Sequence, residues 1–409
     1  MNRRDALKAL GSTVGVAPLT VTAQTPDRWG QSQGYPTGWG PQGETPRFEA
    51  YTAYRVGNYS GGFERMFPHR VIARSLQPKP WNVAPVPVSY RWGLFGRTPQ
   101  DYLKEWPVTG LLIARKGTIL FEDYRFGRQA NMRLTSWSMA KSVTSLLFGI
   151  ALGDGLIRSL DDVPQIYVPS LQGTLHGQVP LRHLLNMSSG ADVLHERDPV
   201  RIDVPGLLGW PQARTKGTDV ERVVRTWQGT LEAPGVRYNY NELCPLTLGM
   251  VIRSVTGKSL SEFAQERLWQ PLGAEDDATW LTDSLGKEYN CIGFAARLRD
   301  WARLGQLVAQ RGAMDGQTIV PASWIDDCAS HGPHDAQVRF GAMRQDMGYK
   351  NLFWHPRPGG AWLMMNGHHA QRVLVDRATQ TVLVQTAVNH DGPWQRELLA
   401  LFEGAVSAG

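Results

Sequence analysis

Two stretches of alternating hydrophobicity, one towards each end of the chain, restrict the fold more than any other feature of the sequence. VTGLLIARKGTILFEDYRF (108–126) alternates around a Lys-Gly turn, and QRVLVDRATQTVLVQTAV (371–388) alternates around a polar one. Successive strand side chains point to opposite faces, so each stretch reads as a β-hairpin. WQRELLALFEGAV (394–406) then closes the chain as a helix. Hairpins at both ends with helical patterns between them imply an antiparallel sheet completed from both termini. The expected class is mixed α/β (α+β): a sheet domain over 96–134 and 276–409, flanked by helices, with a mostly helical subdomain over 135–275.

The N-terminal part divides in two. Residues 1–23 combine Arg3-Arg4, a mildly apolar stretch and a small-residue site ending at Ala23, the pattern of a twin-arginine export signal. Export to the periplasm is the expectation. Residues 24–95 are rich in Gly, Pro, Trp and Tyr, which disfavours regular structure and suggests an extension laid over the main body. No later stretch approaches the roughly 18 apolar residues of a membrane span. The net charge of +6 is scattered, so no nucleic-acid patch is expected. The three cysteines, Cys244, Cys291 and Cys328, have no zinc spacing and allow at most one bridge.

Chemistry enters at SMAKSVTSLLFGIALGDG (138–155), an apolar helical run stopped by Gly153 and Gly155. On a helix, positions i and i+3 face the same side, which brings the Lys141 amine within reach of the Ser138 hydroxyl. A serine attacks only when a base takes its proton, and a lysine is that base only where its environment lowers its pKa. The same pair also fits a solvent-facing polar stripe, with Ser138, Lys141, Ser142 and Ser145 spaced i, i+3, i+4 and i+7. A second Ser-x-x-Lys, Ser284–Lys287, sits in a polar loop with no helix after it, and the Gly30–Gly34 match to a nucleophile elbow lacks its strand and helix. His368 and His369 are adjacent and cannot share a helical face as metal ligands do.

SWSMAKSVTSLLFGIALGDGLIRSLDDVPQIYVPSL followed by VPLRHLLNMSSG resembles the serine β-lactamase and penicillin-binding superfamily, nearest the branch of class C-like esterases and 6-aminohexanoate-dimer hydrolases. The likeness runs from about 105 to 408. Its second element is supplied by PGVRYNYNELCPLTLG (234–249), where Tyr240 is the counterpart of the family tyrosine and Tyr238 is the buried aromatic of the turn. Tyr349-Lys350-Asn351 is a formal match that lacks the Pro-Gly lead-in. The third element aligns as His368-His369-Ala370-Gln371, opening the second hairpin.

The resemblance implies that Ser138 is the nucleophile and that Lys141 and Tyr240 move protons. A phenol beside an ammonium ionises more easily, which would suit Tyr240 to that part. Backbone N–H groups of Ser138 and Gln371 would form the oxyanion hole. His368, His369, Trp137 and Trp354 would line the cleft. Ala370, His369 and Cys244 depart from the residues usual there, as do Asn241 and Glu242, and these departures bear on β-lactam hydrolysis more than on acyl transfer. The expected protein is an exported serine hydrolase acting on a small ester or amide, with no metal or organic cofactor. A β-lactamase or D-Ala-D-Ala peptidase is the competing enzyme, and an acylated sensor without turnover is the competing binding module.

Overall fold

The computed structural model describes residues 64, 68–125, 128–193, 219–330, 347–357, 361–387 and 393–408. Both hairpins form where the alternation places them. The first pairs Val108–Arg115 with Thr118–Tyr124, and its turn holds Lys116 and Gly117 at φ of 47° and 77°. Positive φ at both turn residues matches the twist of the flanking strands, and glycine adopts it without steric cost. The second hairpin pairs Gln371–Asp376 with Thr381–Ala387. Thr381–Ala387 also lies antiparallel to Val108–Arg115, with Leu383 opposite Ile113, so the two ends of the chain meet in one sheet.

That sheet has eight strands. In space it runs from Gly348–Lys350 through Phe353–His355, Trp362–Gly367, Gln371–Asp376, Thr381–Ala387, Val108–Arg115 and Thr118–Tyr124 to Asn82–Val83. Helices Leu298–Ala309 and Trp394–Ser407 pack against it. Every residue of Gln371–Asp376 and Thr381–Ala387 is buried, which explains why Val and Leu fill consecutive positions there instead of alternating strictly. A smaller antiparallel sheet joins His69–Ile72, Ala278–Leu281, Phe294–Arg297 and Arg133–Thr135 in that order.

The described part of the N-terminal extension, 68–95, contributes short strands that its composition does not suggest. His69–Ile72 edges the smaller sheet, Asn82–Val83 adds in parallel to the larger one, and Tyr90–Trp92 pairs with Phe95–Arg97. A sheet edge offers unpaired N–H and C=O groups to any short extended backbone, whatever its neighbouring prolines and glycines. Side chains then fix these pieces in place. Buried Glu397 of the last helix accepts hydrogen bonds from Tyr90 (2.7 Å), Arg97 (2.7 Å) and Trp106 (2.9 Å).

Between the strands lie the helices that carry the site. Met139–Gly153 packs against Leu243–Thr256, and every residue from Met139 to Ala151 is buried. The solvent-facing stripe is thereby excluded: Lys141, Ser142 and Ser145 all lie inside. Ser142 Oγ donates to the Leu352 carbonyl at 2.8 Å, which satisfies one of these interior polar groups. Among the described residues, no helix is long and apolar enough to cross a membrane.

Candidate active site

Strand Arg133–Thr135 delivers the chain to the nucleophile through two residues. Ser136 N–H donates to the Phe294 carbonyl at 2.8 Å, and Trp137 then turns the backbone with φ of 47°. A bulky residue in the left-handed region is strained and persists only where its surroundings hold it. Trp137 is held on its carbonyl, which accepts from Ser136 Oγ (2.8 Å) and from the Ala140 N–H (3.1 Å). Ser138 follows as the N-cap residue of Met139–Gly153, and its side chain makes no capping bond. It is engaged by Lys141, whose Nζ donates to Ser138 Oγ at 3.0 Å. The tetrad thus has the geometry that helical spacing predicts.

Two further acceptors surround the amine. Lys141 Nζ donates to the Cys291 carbonyl at 3.0 Å and lies 2.5 Å from Glu242 Oε2. Both members of that ion pair are buried, with side chains 2% and 6% exposed. The Cys291 loop is fixed from the helix itself, because Thr144 Oγ1 donates to the Asn290 carbonyl at 2.9 Å while Asn290 Nδ2 donates to the Pro245 carbonyl at 2.6 Å. Glu242 is placed by the start of Leu243–Thr256, where the Asn241 side chain accepts from the Cys244 N–H at 3.0 Å.

The Tyr240 ring completes the centre, with Lys141 Nζ 4.7 Å from its centroid. Its hydroxyl is hydrogen-bonded to Lys141 and Ser138. Behind it Tyr238, Tyr349 and Trp354 pack as one aromatic group, with Trp354 5.7 Å and Tyr349 6.1 Å from the Tyr240 ring. Tyr238 is therefore the buried aromatic of its turn.

The electrostatics reverse the sequence expectation. Burial pulls the Lys141 pKa down, but the Glu242 carboxylate, with Tyr240 and Cys291, outweighs burial and holds the amine above its ordinary range. Tyr240 also moves up, because burial disfavours phenolate more than Lys141 favours it. Both directions favour an ammonium at Lys141 and a neutral phenol at Tyr240. The sequence marks Glu242 only as a departure from the family residue. The signal that could have found it was a carboxylate two positions after Tyr240 at the start of an apolar helix.

The third element meets the nucleophile differently from the alignment. Strand Trp362–Gly367 ends against the Ser138 turn, where a Cβ on Gly367 would lie 2.1 Å from the Ser136 carbonyl oxygen. Only glycine permits that approach. His368 begins a tight turn in which His369 and Ala370 take φ of 54° and 67°. The Gln371 N–H donates back to the His368 carbonyl, so it is already spent and cannot hold an oxyanion. The Gln371 side chain is buried too, donating to the carbonyls of His369 (2.9 Å) and Ala387 (2.6 Å). Of the four expected cleft residues, His368 is exposed, whereas His369, Trp137 and Trp354 are buried. Trp137 packs edge-on against His368 at 5.4 Å and His369 at 5.7 Å.

The competing motifs separate cleanly. Lys287 of the second Ser-x-x-Lys is paired with Asp219 and Glu221. Lys350 and Asn351 both bind Asp327, leaving Tyr349 as a packing partner of Tyr240. Cys244, Cys291 and Cys328 are all buried, and none of the three is bridged to another. Gly30–Gly34 and the Arg3-Arg4 segment lie outside the described residues. Among the described residues, no group of three His, Cys, Asp or Glu side chains is placed to hold a metal ion.

A sheet fed from both termini, with a buried Ser-Lys-Tyr centre at its junction with the helices, defines the class, and the comparisons with known proteins give the family. Residues 105–402 match the Beta-lactamase family, to which this chain belongs. The 6-aminohexanoate-dimer hydrolase of Paenarthrobacter ureafaciens is 24% identical over 292 residues, covering 70% of this chain and 74% of that protein. A solved structure from Bacillus anthracis, provisionally named a 6-aminohexanoate-dimer hydrolase, superposes with a TM-score of 0.78 at 20% identity, covering 90% of this chain and 98% of that one. EstCE1, described as a hydrolase with promiscuous acyltransferase activity, shares the fold at a TM-score of 0.58 and 16% identity, over 75% of this chain and 96% of its own. The protein is a β-lactamase-fold hydrolase related to the 6-aminohexanoate-dimer hydrolase.

Proposed function

We propose that this hydrolase cleaves a small ester or amide through an acyl-enzyme on Ser138. The observation that carries the reading is the 3.0 Å contact between Lys141 Nζ and Ser138 Oγ in a buried site completed by Tyr240. Ser138 Oγ attacks the carbonyl carbon. Tyr240, a neutral phenol touching both Ser138 and Lys141, passes a proton to the departing alcohol or amine. Water then attacks the acyl group from the same side and frees the serine.

The oxyanion falls to backbone N–H groups at the first helical turn, with Ser138 as one donor. The second donor in this reading is the His368 N–H, the first past Gly367, whose close approach to Ser136 brings that strand end to the nucleophile. Exposed His368 meets the substrate at the mouth, and Trp137 and Trp354 hold the walls from behind. Linear amides of the kind named for the dimer hydrolases suit such an aromatic-backed cleft, and an esterase range suits the likeness to EstCE1. Export through the Arg3-Arg4 signal is part of the same proposal.

Intact-mass labelling with a fluorophosphonate tests it, followed by a panel of nitrophenyl esters, linear amides and a chromogenic cephalosporin. One adduct on the wild type, none on Ser138→Ala, and turnover of esters or amides ahead of the cephalosporin is the expected result. No adduct overturns the reading. A permanent adduct without turnover makes the protein a sensor, and prompt cephalosporin turnover makes it a β-lactamase.

A further inference from the structure

An ammonium resting beside the nucleophile cannot take the nucleophile's proton. Four groups surround the amine: Ser138 Oγ at 3.0 Å, the Cys291 carbonyl at 3.0 Å, Glu242 Oε2 at 2.5 Å and the Tyr240 hydroxyl. To receive a proton from Ser138, the nitrogen must turn a lone pair to that oxygen and keep only two N–H bonds. The third proton has to leave, and a carbonyl oxygen cannot keep it. The Tyr240 phenol already carries its own proton, so of the neighbouring groups only the carboxylate can, and it lies at the shortest distance, shielded from water.

We propose that Glu242 is a positioning residue that stores one proton of the Ser138–Lys141 pair, so that the amine becomes a base only while the carboxylate is protonated. The inference rests on the serine-hydrolase reading and deepens it. As the Ser138 Oγ–carbon bond forms and the carbonyl π electrons move onto oxygen, the serine proton passes to Lys141 Nζ and a Lys141 proton passes to Glu242 Oε2. When the carbonyl re-forms and the C–O or C–N bond breaks, Tyr240 gives its proton to the leaving group and recovers one from Lys141, which Glu242 replenishes. Water repeats the cycle in deacylation, losing its proton along the same route, and Ser138 regains its hydrogen at the end.

The surroundings suit a pair whose single mobile proton has two resting places. In a dry site the charged and the neutralised arrangements of an ion pair lie closer in energy than in water, because each ion has lost its hydration. Among the described residues, the titratable groups facing the pair are Tyr240 on the preceding turn, Cys291 on the opposite loop, and Cys244 and Tyr349 beside Glu242. All four are neutral when protonated.

The test is the pH dependence of fluorophosphonate labelling, whose fluoride leaving group needs no proton and so isolates the attack. Wild type, Glu242→Gln and Glu242→Asp are compared from pH 5 to pH 10. In Glu242→Gln the buried amine has lost its counter-charge and must itself be unprotonated to work, so the acid limb of its profile is expected to rise by about one pH unit or more. That corresponds to labelling about tenfold slower than wild type at pH 6, recovering to within a few-fold at pH 9, with Glu242→Asp between them. A Glu242→Gln profile of wild-type shape, at any height, overturns the relay. If Glu242→Gln does not fold, labelling of the wild type in mixtures of H2O and D2O decides instead: a bowl-shaped proton inventory is expected for two protons in flight, and a straight line overturns the proposal. Failure of the hydrolase reading is seen separately, as a wild type that takes no label or a Ser138→Ala variant that does.

Discussion

Ser138–Lys141 and Ser284–Lys287 show one pattern in two settings. The first opens a buried helix, with its amine 2% exposed, bonded to its own serine and matched by one carboxylate. The second sits in the turn between two strands, where the Asp283 carboxylate accepts the N–H groups of Leu285 and Lys287. Its amine is 28% exposed and shares Asp219 and Glu221 with Arg225 and Arg253. Both lysines are ion-paired, so pairing alone marks neither as chemical. The difference lies in the proton count: among the described residues the second lysine belongs to a network of four cations and three carboxylates, Arg70 and Glu288 joining through Arg253, whereas one ammonium against one carboxylate leaves a proton that can move.

The comparison breaks most readily at the serines. Ser138→Ala is expected to lower kcat by about 10⁴-fold or more, with Ser284→Ala within twofold of wild type, as measured on the best ester of the panel. Next come the lysines. Lys141→Met should cost about 10² to 10⁴ in kcat and also lower the melting temperature, since it leaves Glu242 buried without its partner. Adding Glu242→Gln to Lys141→Met should restore the melting temperature and none of the rate. Lys287→Met should keep the rate and lose about 1 to 2 kcal/mol of stability, read from urea titrations.

Tyr240→Phe sharpens the distinction within the first site. A loss of about 10²-fold is expected for amides, whose leaving group needs a proton, with a smaller loss for nitrophenyl esters, whose phenolate departs unaided. The smallest effect sets a baseline outside both tetrads. His176 is fully buried, neither ring nitrogen has a hydrogen-bond partner among the described residues, and burial holds its pKa down at about 4. Below about pH 6.5 the unfolded chain binds a proton that the folded one refuses, so stability should fall from pH 6.5 towards pH 4, by on the order of 3 kcal/mol in all. His176→Leu should flatten that part of the melting-temperature profile. A profile unchanged by the substitution would show that other groups set the acid sensitivity.

Local patterns carried most of the fold and half of the site. The hairpins, the closing helix and the Ser138–Lys141 spacing are each written in a few neighbouring residues, where period and spacing operate, whereas Tyr240 came from the resemblance to the β-lactamase superfamily. What was not legible depends on distant parts of the chain. Glu242 acts because Leu243–Thr256 lies against Met139–Gly153, and its place two positions after Tyr240 is a local signal that does not by itself name Lys141 as the partner. Gln371 lost its expected part to a turn in which two residues without glycine's freedom take positive φ, an arrangement the sequence argues against. The strands at 69–72 and 82–83 exist because finished sheet edges accept them.

The pairing of Val108–Arg115 with Thr381–Ala387 also sets a schedule for biosynthesis. A nascent hairpin at 108–124 emerges with one flank bare and stays so until the last strands leave the ribosome. Chaperone demand should therefore peak late in synthesis, and stop codons beyond the midpoint should yield aggregates rather than partly working fragments.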